Sequence, residues 1–281
     1  MSVAEVPAWV PQERPIDPET IRESAMSRTL GALLKNGELR RDDSLLIVFA
    51  GEFDRAVLSH LGFTNVTLAN KSSSVGDSHF DAAQIPYADG SFDHVLAHAG
   101  IHHSSRPHQS VCEMYRVARK SVMFFESQDS WMMRLAIRLN LTKDYEWNAI
   151  LDHGLRRGGV DDLPIPNYVY RWTPRELEKL VRSLDPAHVP FITFDIAWDF
   201  TYQRVQRRLQ RTPLRVLPSW LMVPICQISV AAFNLLFSRY GNVFFARIEK
   251  RGVEQPWMKD GVFTPPARVE SSADAPSFDR S

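Results

Sequence analysis

The chain has 281 residues, 44% of them hydrophobic and 23% charged, enough for one large domain to bury a core without disulfides. Its 33 Lys and Arg balance 33 Asp and Glu, which excludes a global basic field for nucleic acid. Two cysteines, Cys112 and Cys226, have neither metal-ligand nor disulfide-framework spacing, so each reads as a reduced, small side chain.

The first stretch, MSVAEVPAWVPQERP, has no basic or apolar leader run, so a cytoplasmic protein is expected. Residues 1–16 hold three prolines and no periodicity, and read as a flexible arm. Asp17 caps a helix with Pro18 at its first position, running to about Lys35 and ending near Asn36-Gly37. Ser44 to Ala50 is a short apolar strand, Glu52 to Leu61 a helix closed by Gly62, and Asn65 to Ala69 a second strand. His94 to Ala99 follows as a strand, Pro107 to Lys120 as a helix and Ser121 to Glu126 as a strand. The alternation predicts an α/β fold with a mostly parallel, doubly wound sheet, in one domain over 17–251.

Residues 127–190 read as a helical addition or lid. In it Thr173 caps, and Pro174 opens, a helix with Leu177, Leu180, Val181 and Leu184 on one stripe. Phe191 to Trp198 and Asn242 to Ile248 are further strands, and 252–281, rich in Pro, Ser and Asp, reads as a disordered tail.

Ligands of a doubly wound sheet sit beyond the carboxyl ends of its strands. The first strand ends at Ala50-Gly51-Glu52, ahead of a helix N-terminus whose unpaired N–H groups suit an anion or a polar ligand edge. Gly51 permits close backbone approach. Asn70 ends the second strand, where its amide can meet ribose hydroxyls, and Asp81 can accept from an adenine amino group.

The run FDAAQIPYADGSFDHVLAHAGIHH carries Asp81-Ala82, Ile85-Pro86-Tyr87, Asp89-Gly90-Ser91-Phe92-Asp93 and His102-His103. Over roughly 44–126 the chain thereby resembles class I S-adenosylmethionine-dependent methyltransferases of the type 11 kind, with a looser echo at Arg171-Trp172-Thr173-Pro174. The resemblance implies a Rossmann-like, seven-stranded sheet with helical insertions and S-adenosyl-L-methionine as cofactor. Ala50, Gly51, Glu52, Phe53, Asn70, Asp81, Ala82 and His98 would be its binding residues. The sequence departs from the family at the first loop. Only Gly51 remains of three glycines, Phe49 and Phe53 take glycine positions, and Ile47 or Val48 the acidic one. Asn70 replaces the usual ribose-binding acid, and Glu52 or Asp54 is positioned to replace the missing acidic contact.

Methyl transfer asks a protein mainly for alignment and, for some acceptors, a base. His98, His102, His103 and His108 fall where an acceptor would approach, with His102 first and His103 second as the base. The same histidines serve equally as loop-shaping or helix-capping groups. No metal site is expected, because no carboxylate or cysteine stands at ligand spacing from them. Glu126, ending the fifth strand, reads as an acceptor contact, a salt bridge or a cap, and Tyr168, Tyr170, Arg171 and Trp172 as lid residues.

Arg204, Arg207, Arg208, Arg211 and Arg215 share one face of a helical pattern, and the uncharged run 216–238 follows. This helical addition, 201–240, reads as a peripheral membrane contact, a cover for a lipidic acceptor, or a buried subdomain. The expected activity is methylation of an O or N atom of a small or lipid-linked acceptor, without a nucleic-acid partner. A membrane-associated scaffold that has lost catalysis is the alternative. A nicotinamide oxidoreductase is the weaker third reading, for want of its glycines.

Overall fold

A computed structural model describes residues 16–71, 76–198, 218–250 and 253–264. Its centre is a six-stranded sheet in the order β2-β1-β3-β4-β8-β7. These are β1 (Leu45–Val48), β2 (Val66–Ala69), β3 (Phe92–His98), β4 (Ala118–Ser127), β7 (Phe191–Ala197) and β8 (Val243–Glu249). β1 pairs in parallel with β2 and β3, and β3 with β4; β8 runs antiparallel between β4 and β7. The alternation of strands and helices thus gives the mostly parallel α/β sheet expected.

All four side chains of LLIV in β1 are buried, because a central parallel strand is covered on both faces. Its period of two splits the core. Leu45 and Ile47 pack with Met26, Leu30, Val57 and Leu58 on one face, beneath α2 (Ala25–Lys35) and α3 (Glu52–Leu61). Leu46 and Val48 belong to the opposite face, with Val111 and Met114 of α4 (Pro107–Val117) and Leu177 and Val181 of α7 (Pro174–Leu184). Trp172, fully buried, stacks 5.5 Å from Phe124 and anchors that second face.

Four expectations change. The first helix is two: α1 (Pro18–Glu23) stops where the Ser24 hydroxyl donates to Ile21 O, and Ser24 Oγ then accepts the Ser27 N–H to cap α2. β4 begins at Ala118, cutting α4 shorter than its sequence pattern. The sheet has six strands rather than seven among the described residues. After β2 the chain makes a single parallel bridge, Ala69 to Ser78, because the connection to Asp81 is too short for a helix and another strand. Finally, the tail is not structureless from 252. Residues 253–264 form a hairpin of β9 (Met258–Lys259) and β10 (Val262–Phe263), and Glu254 bridges His188.

Between β4 and α7 lie α5 (Trp131–Arg138), α6 (Asn148–Leu151), and the pair β5 (Tyr145–Glu146) and β6 (Asn167–Tyr168). Between β7 and β8 stands α8 (Ser219–Phe237), continuous through Pro224. Residues 1–15, Arg204, Arg207, Arg208, Arg211 and Arg215 lie outside the described residues.

Candidate active site

β2 leaves one side of β1 and β3 the other, so the crevice lies beyond Val48 and His98. Both strand ends are strained. Phe49 has φ 57° and Ala99 φ 46°, left-handed values that cost a residue with a Cβ roughly 1 kcal/mol or more. Phe49 therefore keeps the backbone of a glycine position without being glycine. It stands against Gly100, where an added Cβ would fall 2.3 Å from Phe49 Cβ and 2.8 Å from Cγ. The missing side chain at Gly100 is what lets the Phe49 ring sit between the two strand ends.

The first turn spends its polar groups internally. Asp54 is buried, accepts the Gly51 N–H at Oδ2 (2.7 Å) and lies 2.9 Å from His98 Nδ1 at Oδ1. This fastens the β1–α3 turn to the end of β3 and takes up the Gly51 N–H. Asp54 is thus committed to the protein itself. His98 packs on Phe53 at 5.5 Å and Phe125 at 5.9 Å. Neither His98 nor Phe53 lines the crevice, and nor does Glu52, which is exposed and 3.9 Å from Arg55.

Ala50, Gly51, Asn70, Asp81 and Ala82 do line a cavity of about 400 Å³, as does His103. Asn70 Nδ2 donates to Ala50 O at 2.8 Å, tying β2 to β1. A carboxylate cannot make that bond, which gives a physical reason for asparagine here. Asp81 Oδ1 accepts the Ala83 N–H at 2.9 Å. Its Oδ2 lies 3.3 Å from Lys71 Nζ and 3.0 Å from Arg106 Nη2. Burial pushes the Asp81 pKa up, but the Ala83 N–H and the two cations outweigh it and hold the pKa below the usual carboxylate range. Lys71 and Arg106 were not anticipated; their positions carry no sequence pattern of their own.

The far wall comes from 149–162, with Ala149, His153, Arg157, Gly158, Gly159, Asp161 and Asp162. Here two glycines are required. Gly158 has φ 97°, and a Cβ at Gly159 would meet Ile165 O at 1.8 Å. The glycine-rich HGLRRGGVDD was the available signal for this wall. The aromatic lid residues lie elsewhere. Tyr170 contacts His108 and Glu176, Arg171 pairs with Asp144 at 3.1 Å, Tyr168 packs on Tyr145, and Trp172 is core.

The histidines separate as well. His108, on α4, lies 2.9 Å from Glu176 of α7. His102 and His103 share a 3-10 turn, Ile101–His103, with ring centroids 4.8 Å apart. Glu126, buried at the end of β4, caps that turn: its Oε1 accepts the N–H groups of Gly100 (2.9 Å) and Ile101 (2.7 Å). Its Oε2 lies 2.7 Å from His102 Nδ1, and Glu146 Oε2 lies 3.3 Å from His102 Nε2. Burial lowers the His102 pKa, yet the two carboxylates overcome it and push it up to about 10. With both nitrogens facing carboxylates, His102 holds its proton at neutral pH. That overturns its selection as the first-choice base. His103, 26% exposed and on the cavity wall, is the histidine an acceptor can reach.

Residues 49–125 match the family model described as a methyltransferase domain. A search of curated proteins found no match. Among solved structures, a S-adenosylmethionine-dependent methyltransferase from Archaeoglobus fulgidus is 12% identical, covering 83% of this chain and 97% of its own, at a TM-score of 0.44. Another from Thermotoga maritima is 13% identical, covering 83% and 95%, at 0.42. At such scores these likenesses carry no argument; the family match does. By that match, residues 49–125 are similar to methyltransferase domains.

Proposed function

We propose that the chain transfers a methyl group from S-adenosylmethionine to an O or N atom of a lipid-linked acceptor. The observation that carries the reading is the cavity between the ends of β1, β2 and β3, walled on that side by the matched segment. Its volume falls in the range of small-molecule sites, about 300–1,000 Å³. Ala50, Gly51, Asn70, Asp81 and Ala82 all line that space, which fits the cofactor's ribose and base. Bound there, the cofactor supplies an electrophilic methyl on a sulfonium. Asn70 and Asp81 would hold its polar groups, the 149–162 wall would limit water, and His103 would border the acceptor's entry.

Lipid enters through α8. Trp220–Tyr240 has mean hydropathy 1.8 and only 6% of the window is buried. Trp220 is 76% exposed and Leu235 82%. Nineteen residues make a helix about 28 Å long. It leaves the sheet after Ala197 and returns at Val243, which pair with each other and lie level with Ser127 at the carboxyl rim of the parallel strands. The cavity opens at that rim too. Leu135 on α5 and Leu139 just after it are also exposed, and Trp131 of α5 packs at 5.5 Å on Tyr240, just after α8. A membrane-spanning α8 would oblige the arginine-rich chain before it to cross as well, at roughly 2.5–3.5 kcal/mol for each arginine. A helix lying in the interface avoids this and brings the cavity mouth to the bilayer, on the cytoplasmic side.

Two assays test the reading. Co-sedimentation with anionic vesicles should fall at least tenfold in Leu235→Glu/Leu236→Glu, and methyl-labelled S-adenosylmethionine should label the extracted lipid fraction. Label confined to water-soluble acceptors would sink the lipid assignment. A second reading, a scaffold that has lost catalysis, draws on the Phe49 ring beside Gly100 and on the Gly51 N–H already held by Asp54.

A further inference from the structure

We propose that His102, His103 and Glu146 bind one divalent transition-metal ion of the zinc type at the inner edge of the crevice, with Glu126 as the group that orients His102. The ligands come from two distant parts of the chain, the turn after β3 and the strand β5. Glu146 Oε2 lies 3.3 Å from His102 Nε2 and 3.4 Å from His103 Nε2. One ligand atom from each residue falls within a 4.8 Å set. Ligands about 2.0–2.1 Å from a tetrahedral ion stand about 3.3–3.4 Å apart, which the two carboxylate distances match, while the imidazole nitrogens would have to draw together for both to bind.

The surroundings point the same way. Metal-bound histidines donate their other ring N–H to a fixed carboxylate or carbonyl. Glu126 fills that role, with one oxygen 2.7 Å from His102 Nδ1 and the other pinned by two backbone N–H groups. Nε2 faces Glu146, so an ion there takes the place of the proton that His102 otherwise holds between the two carboxylates. An independent observation comes from β6. Asn167 is buried, its Nδ2 donates to Glu146 Oε2 at 3.3 Å, and its Oδ1 has no hydrogen-bond partner. An unpaired buried acceptor on the side chain that holds Glu146 suits a water bound to a cation. Two nitrogens and a carboxylate favour zinc, cobalt or iron over magnesium and calcium, which prefer oxygen alone. Because His103 also lines the cavity, an ion here borders the space where an acceptor's oxygen would enter. The site stands whether or not the crevice takes S-adenosylmethionine.

The test is calorimetry of the chelator-treated full chain with zinc sulfate, supported by the visible absorption of the cobalt(II) form. The expected result is one zinc per chain and cobalt bands of tetrahedral intensity. Glu146→Gln and His103→Ala, both at partly exposed side chains, should each weaken zinc at least tenfold while far-ultraviolet circular dichroism stays unchanged. Glu126→Gln should weaken it about 10–100-fold. His60→Ala, at the exposed end of α3, should bind as the wild type does. No zinc binding up to millimolar, or wild-type affinity in either Glu146→Gln or His103→Ala, overturns the proposal. The three residues would then be an ordinary hydrogen-bonded ion cluster.

Discussion

The contact between Phe49 and Gly100 sets up a test in which the identity of a rescuing residue matters. Gly100 has φ −131°, open to alanine, so Gly100→Ala adds no backbone strain. The new methyl would sit 2.3 Å from Phe49 Cβ, 2.8 Å from Cγ and 3.2 Å from Cδ2, all in one side chain. Overpacking of this kind costs about 1–3 kcal/mol, roughly 2–4 °C in Tm per kcal/mol for a chain of this size. Phe49→Gly removes every clashing atom and also relieves the left-handed φ of 57°. Gly100→Ala in the Phe49→Gly background should therefore cost almost nothing, giving a coupling of about 1–3 kcal/mol. Phe49→Ala should not rescue, because its Cβ remains the nearest clashing atom. Urea denaturation of the four corners of the cycle, plus Phe49→Ala/Gly100→Ala, reads this directly. Additive costs, or equal rescue by Ala and Gly at 49, would refute the packing described at the strand ends.

Two further outcomes follow from the same geometry. Asn70→Asp deletes the bond to Ala50 O and sets a carboxylate against that carbonyl, so it should destabilise by about 1–3 kcal/mol in urea denaturation, although it restores the family's acid. Asp93 accepts from the Ser44 N–H and hydroxyl and from Arg119 and Lys120. Burial opposes its ionisation, but those donors prevail and hold its pKa far below the usual carboxylate range. The folded pKa is depressed, so the stabilisation is present above the unfolded value of about 3.9 and is lost as pH falls through the folded one. Asp93→Asn should cost about 2 kcal/mol at pH 7, and its deficit against wild type should shrink below about pH 4 in a pH series of thermal melts.

Much of the fold was legible because its signals are local. LLIV is apolar throughout and becomes the central strand, and Thr173-Pro174 opens α7 as its cap chemistry requires, with Thr173 Oγ1 accepting the Glu176 N–H at 3.1 Å. The break at Ser24 was missed because one serine ending a helix and starting the next looks like any helical serine. At the site, strand ends were legible and side-chain commitments were not. Gly51, Asn70 and Asp81 line the crevice as their places in the α/β order imply. His98 and Asp54, by contrast, look equally able to serve a ligand until the 2.9 Å contact between them is seen. The reversal at His102 has the same cause. Its two carboxylates come from β4 and β5, and nothing in the spacing of HH announces a glutamate so far along the chain.

The proposed function stands on the crevice beyond β1, β2 and β3 taking S-adenosylmethionine. It is tested most directly by titration calorimetry of the full chain with S-adenosylmethionine and S-adenosylhomocysteine, repeated on Asp81→Ala. Both should bind at micromolar concentration, weakened about tenfold, or ~1.4 kcal/mol, by the substitution. Absence of binding up to millimolar, or binding indifferent to Asp81, would contradict it and leave the Phe49-filled first turn as the mark of a scaffold.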